Sequence, residues 1–266
     1  LIGYFGGLGK TRVVLLSTLL MGLANVGANY VLIFGKLGFP ALGIAGAGYG
    51  TVFAWFVGLF ALCVIYFRQI KLPEYQLLKS FQFDLGILKK LVHFGFASGL
   101  RITLLIFAID LMILTFQSYG VEVSTAITIV FTWIHTLFIP VIGLEIATMS
   151  LTGRFIGARD LNNASDSVFS GLSLASVYAL IISTICLFKT SEMVGMFLET
   201  DSAAEINDLA IWGTRIYAFM VFIMAWSAIL GGALRGAGDT YGTMTISAVF
   251  WWFQYALVVI LIRLFE

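Results

Sequence analysis

Seven stretches of this chain stay apolar long enough to cross a lipid bilayer, and that feature removes most of the folds open to a sequence of 266 residues. They run from Val13 to Phe34, Ile44 to Phe67, Ser98 to Tyr119, Ser124 to Leu151, Ser167 to Phe188, Leu209 to Leu234 and Tyr241 to Ile262. Each reaches the roughly 20 residues that a helix needs to traverse the hydrocarbon core. In lipid a backbone must satisfy its own amides, which leaves helices or a closed barrel. These runs lack the alternation of roughly ten-residue barrel strands, so helices are predicted. The expected fold is therefore all-α, a polytopic membrane helix bundle. With 60% of residues hydrophobic and 11% charged, against roughly 25% charged in soluble domains, water is excluded as its solvent.

Lys and Arg in alternate loops set the orientation of such a bundle. On the side of the first residue lie Lys10, Arg12, Arg68, Lys71, Lys79, Lys89, Lys90, Arg154, Arg159 and Arg235. The other side holds Lys36, Lys189 and Arg263. The first residue is thus expected in the cytoplasm and the last outside. No Met or signal peptide opens the chain, so it is expected to be a fragment of a longer protein. The polar interval from Arg68 to Lys90 separates the first two spans from the other five. It reads as a cytoplasmic linker, and its apolar residues among lysines suit an amphipathic helix on the membrane surface. Cys63 and Cys186 fall inside apolar runs and read as small buried hydrophobes.

A short repeat recurs before the first and last spans. Gly7-Leu8-Gly9-Lys10-Thr11 and Gly236-Ala237-Gly238-Asp239-Thr240 share the form GxGxT, and at that offset Asn25 corresponds to Gln254. Glycines permit a tight positive-φ turn between helices, and Thr or Asp can cap the next helix. A nucleotide loop would need an upstream glycine at P-loop spacing and a preceding strand, and both are missing.

Three stretches together resemble the MATE family, the multidrug and toxic compound extrusion transporters. They are Leu234-Arg235-Gly236-Ala237-Gly238-Asp239-Thr240, then Gly153-Arg154-Phe155-Ile156-Gly157-Ala158-Arg159-Asp160, and the turn from Asn29-Tyr30-Val31 through Gly38-Phe39-Pro40 to Gly43-Ile44-Ala45. The resemblance implies helices five to eleven of twelve in a transporter of two six-helix lobes. Residues 1–70 would close the first lobe, 71–94 would link the lobes and 95–266 would give five helices of the second. It also implies export of organic cations or drug-like compounds in exchange for Na⁺ or H⁺, with no chemistry on the substrate and no other cofactor. Arg235, Gly236, Gly238, Asp239, Thr240, Gly153 and Gly157 would be structural loop residues.

Charged residues at bilayer depth are costly, and they mark functional candidates. Here they are Arg101, Asp110 and Glu145, with Arg215 close enough to the outer surface to snorkel. The third and fourth spans form a hairpin, which sets Asp110 level with His135 and Arg101 level with Glu145. Arg101 and Asp110 lie on opposite faces of one helix, because nine residues turn it through about 900°. Family positions for a cavity acid fall at Leu105, Met224 and Ile33, so the known coupling patterns are not retained, although Asn29 keeps part of one. Only one of the two pairs is expected to form across the hairpin. Glu145 is the expected coupling carboxylate with Arg101 as its charge partner, the alternative being a static ion pair between the helices. Asp110 with His135 would be a hydrogen bond that fixes packing or a proton relay. Asn25, Asn29, Gln117, Tyr217 and Gln254 are expected to line a substrate cavity. Trp133, Trp226, Trp251 and Trp252 could stack on flat cations. Pro140 is expected to act as a hinge in the fourth span.

Other classes fit less well. A lipid-linked oligosaccharide flippase or polysaccharide exporter of related architecture would need more basic residues inside than Arg101. A seven-helix receptor or photoreceptor fits the span count, but a retinal protein would need a lysine in the last span, and none lies between Tyr241 and Ile262. Two histidines and no metal-ligand cluster speak against an enzyme. A net charge of +1 spread over loops gives no nucleic-acid surface. The partners expected are the lipid bilayer and a small drug-like molecule, with the protein monomeric and multi-pass in the cell membrane.

Overall fold

Each of the seven apolar runs is a helix in the computed structural model, which describes residues 1–69, 83–197 and 204–265. In chain order the described helices are α1 (Ile2–Gly7), α2 (Thr11–Phe34), α3 (Ile44–Gln69), α4 (Leu85–Gln117), α5 (Val121–Gly157), α6 (Leu161–Phe188), α7 (Thr190–Gly195), α8 (Ala204–Gly236) and α9 (Thr240–Phe265). All but α1 and α7 are long and apolar enough to span a membrane. Leu23 is 73% exposed, Ile44 95% and Phe253 67%, a cost in water that lipid removes.

Two of the helices outrun the expected spans. At 33 and 37 residues, α4 and α5 reach about 50 and 55 Å, beyond a core of about 30 Å. Lys89, Lys90 and Arg154 end the apolar runs without ending the helices, because both residue types are good helix formers. Residues 70–82 of the expected linker lie outside the described residues, and from Leu85 the chain is helical.

The chain divides into two compact units, residues 1–84 and 85–266. In the first, α2 packs on α3. Gly35 ends α2 at φ +64°, where a Cβ would meet the Ala41 backbone, and Gly46 of α3 rests against the Leu32 carbonyl. The second unit is built around α5 and α8, with α6 closing one side and α4 paired with α9. Its core is made largely of small residues, among them Ala175, Ala179, Ala218 and Ala225, all fully buried beside Val141, Val221 and Ile229. Small side chains let membrane helices approach closely enough for dispersion to hold them without a hydrophobic drive.

Helices α5 and α8 run parallel, since Gly213 faces Val130, Gly232 faces Glu145 and Gly236 faces Met149 in the same order along both. A Cβ at Gly232 would stand 2.8 Å from the Glu145 carbonyl oxygen, and one at Gly236 would stand 2.4 Å from that of Met149. Gly232 and Gly236 thus form a GxxxG contact. Gly236 and Gly153 are helix-crossing residues here, where the sequence motif suggests loop positions. Gly157 is likewise the last residue of α5.

The short motifs do make one recurring turn. In all three places an amide donates to the carbonyl five residues back: Lys10 to Phe5, Asp160 to Phe155 and Asp239 to Leu234, each at 2.9 Å. This is the Schellman closure of a helix, and it requires a left-handed residue. Gly9 (φ 70°), Arg159 (φ 59°) and Gly238 (φ 96°) supply it. Of the two glycines in GxGxT, only the second turns the chain. Capping falls to the aspartates: the Asn163 amide donates to Asp160 at 3.1 Å and the Gly242 amide to Asp239 at 2.8 Å. Thr11 opens α2 without a side-chain cap.

Candidate functional site

Glu145 points from α5 toward α8 and forms an ion pair with Arg235. The two side chains are 17% and 9% exposed, so the pair is largely but not fully buried within the second unit. Arg235 reaches it because helical side chains lean toward the N-terminus of their helix. Its guanidinium lies beside Gly231, one turn back, where a Cβ would stand 3.3 Å from Nη1. The absence of side chains at Gly231 and Gly232 gives both partners room. An ion pair of this kind persists only where its charges compensate each other at short range, because desolvation of either alone is expensive.

The expected pairing of Glu145 with Arg101 is therefore replaced. Depth counted from the α4–α5 turn sets Arg101 and Glu145 level, but it leaves out α8, and the back-folded Arg235 arrives first. Arg101 remains close enough to feel both Glu145 and Arg235 electrostatically. Its Nε is buried without a partner, and the side chain makes no hydrogen bond or ion pair among the described residues.

The alternative pair across the hairpin, Asp110 with His135, does not form either. Asp110 and His135 are both exposed on their helices, with no bond between them. His135 uses Nδ1 to donate to the Phe131 carbonyl of its own helix at 2.9 Å. His135 continues a hydroxyl stripe on α5, where Thr128, Thr132 and Thr136 each satisfy themselves on a carbonyl four residues back. Gln117 is exposed at the end of α4 and Gln254 half-buried in α9.

Tyr217 differs from the cavity-lining role expected of it. It is 3% exposed, packed in the core among α5, α6 and α8, and its hydroxyl is unpartnered. Trp133 and Trp226 spend their indole N–H groups on neighbouring helices, Trp133 on the Met193 carbonyl at 3.1 Å and Trp226 on Ser176 at 2.8 Å. Pro140 sits within an uninterrupted α5. Proline cannot donate to the carbonyl one turn back, and beside that gap the Leu137 carbonyl accepts from the Tyr178 hydroxyl at 2.7 Å. The sequence gives Tyr178 no prominence, since its role depends on which helix meets the proline.

In the first unit, Asn25 and Asn29 join in a neutral ladder. Asn29 Nδ2 donates to Asn25 Oδ1 at 3.1 Å, and Asn25 Nδ2 donates to Thr51 of α3 at 3.4 Å. Asn29 Oδ1 is buried over Gly50 without a partner. No group of three or more His, Cys, Asp and Glu residues that could hold a metal occurs among the described residues. An apolar pocket of about 160 Å³ between Phe116, Val130 and Gly213 contains no charged side chain and lies near the opposite end of α5 from Glu145.

With this geometry in hand, comparisons with known proteins converge. A family model described as MatE matches residues 97–260. The chain is 26% identical over 276 residues to a probable multidrug resistance protein NorM of Thermotoga maritima, covering 98% of this chain and 55% of that protein. An uncharacterized transporter YisQ of Bacillus subtilis is 27% identical over 250 residues, covering 92% and 53%. Among solved structures, an outward-facing multidrug resistance MATE family transporter of the MOP superfamily superposes with a TM-score of 0.80. It is 18% identical and covers 92% of this chain and 54% of that one. The chain thus spans about half the length of the curated relatives it matches.

Proposed function

The chain belongs to the MatE family, and on that premise we propose that the whole protein is a secondary active antiporter exporting drug-like organic cations in exchange for Na⁺ or H⁺. The relatives named as multidrug resistance proteins support the drug-like substrate class. The multi-pass helices place it in a membrane. The excess of Lys and Arg on the side of the first residue favours a cytoplasmic start in the cell membrane.

The observation that carries the reading is the buried Glu145–Arg235 pair across two parallel spans. Packing alone would be served by the glycines and alanines that already fill this contact. A carboxylate held by one guanidinium is instead a switchable element. A proton, or a Na⁺ ion arriving with hydration from an opened cavity, competes with Arg235 for Glu145. Either ion adds one positive charge to the otherwise neutral contact between α5 and α8, so its binding biases one arrangement over the other. Glu145 is assigned the coupling role, Arg235 that of its resident counter-ion, and the α5 hydroxyl stripe a place along the substrate path.

The test is efflux of a fluorescent cationic dye from vesicles containing the full-length protein, under an imposed Na⁺ or pH gradient. One of the two gradients is expected to drive export, and Glu145→Gln is expected to abolish it at unchanged protein level. Undiminished export by Glu145→Gln removes the carboxylate from coupling, and absence of export under both gradients removes the antiport reading.

A further inference from the structure

Arg101 is the charged group that the Glu145–Arg235 pair leaves over. It stands on the inward face of α4, four residues after Ala97 and seven before Ala108, which are 0% and 2% exposed. Those spacings put all three on one stripe of the helix. Asp110 lies on the opposite face, too far round to serve it. Among the described residues, the carboxylate that acts on Arg101 is Glu145, which is already bonded to Arg235, and Arg101 Nε is buried without a hydrogen-bond partner. Two guanidinium groups and one carboxylate sum to +1 in a poorly solvated place. An anion beside Arg101 would complete the charge balance of such a cluster. A guanidinium fork, unlike an ammonium, matches two oxygens of a carboxylate or phosphate at once.

We propose that Arg101 is an oxyanion-binding subsite at membrane depth, taking the carboxylate or phosphate group of an amphiphile whose apolar part lies along the spans. Where the amphiphile is an exported compound, the subsite rests on the antiport reading and extends the substrate class to carboxylate-bearing, zwitterionic molecules. Where it is a membrane lipid, the same chemistry holds a headgroup phosphate.

The experiment measures equilibrium binding to the full-length protein in uncharged detergent, with no gradient, so it succeeds or fails separately from transport. A fluorescent long-chain carboxylate and a matched alkyl trimethylammonium are the probes, read by anisotropy. R101Q is expected to weaken carboxylate binding about tenfold, the worth of a charge-assisted contact, while leaving the ammonium probe unchanged. R101K keeps the charge and loses the fork, so a loss of about threefold is expected; it carries the test if R101Q fails to fold. Displacement of the carboxylate by phosphatidylglycerol at equimolar amounts assigns the subsite to lipid phosphate, and resistance to it assigns the subsite to a carboxylate substrate. Wild-type affinity in both variants overturns the proposal. So does a parallel loss for both probes, which would make Arg101 only a positioning residue for the Glu145–Arg235 pair.

Discussion

The two units solve the same packing problem with different polar groups. In the first, Gly46 brings α3 against the Leu32 carbonyl of α2; in the second, Gly236 brings α8 against the Met149 carbonyl of α5. Next to these close approaches the first unit has amides and a hydroxyl, Asn29 to Asn25 to Thr51. The second has Glu145 and Arg235. Neutral amides can exchange partners with their own helix and lose little, whereas a buried carboxylate and guanidinium are each costly alone. Of the two contacts, α5–α8 is therefore the one whose polar groups are charged. The α2–α3 contact has only neutral groups in its Asn29–Asn25–Thr51 ladder.

The largest expected effect tests that difference directly. Glu145→Leu strands Arg235 beside Arg101 and is expected to cost about 3–5 kcal/mol, as breaking a buried pair from one side does. Glu145→Leu combined with Arg235→Leu is expected to recover most of the loss, because two apolar groups replace two compensated charges. Thermal melting in detergent reads both. An additive loss in the double variant would show that the pair is not a unit. The corresponding change in the first unit, Asn29→Leu, is expected to cost roughly 0.6 kcal/mol and no more than about 1.7, the range found for hydrogen bonds between membrane helices. A loss as large as that of Glu145→Leu would erase the contrast between the units.

Much of this was legible in the sequence, and the missing parts share a cause. The spans follow from apolar length, and the turn at Gly238 with its Asp239 cap follows from glycine and aspartate chemistry. Glu145 and Arg101 stand out as charges in apolar runs. What cannot be read from one helix at a time is which helix comes alongside. Arg235 follows the last apolar residue of its span and so looks like a loop residue, yet its stem folds back to Glu145. Asp110 and His135 share a depth from the hairpin but are not bonded, because depth says nothing about rotation. Gly153 and Gly236 carry the same ambiguity, since a glycine that permits a turn also permits a crossing.

The smallest effect concerns what the two units have in common, the Schellman turns at Lys10, Asp160 and Asp239. Asp160 lies outside the spans, and its carboxyl is held below the ordinary carboxylate value of 3.8 by the Asn163 side-chain amide and then by the Asn163 backbone N–H. A carboxyl whose pKa is lower folded than unfolded contributes stability that is fully present above the unfolded value and disappears as pH falls through the folded one. Asp160→Ala is therefore expected to melt slightly below wild type at neutral pH, and the gap should stay constant down to about pH 5 and close in more acidic buffer. A gap for Asp160→Ala that persists below pH 3 would mean that the residue acts through backbone conformation at the turn. In that case the cap charge is not what closes α5 onto α6, and the left-handed Arg159 preceding it sets the geometry alone.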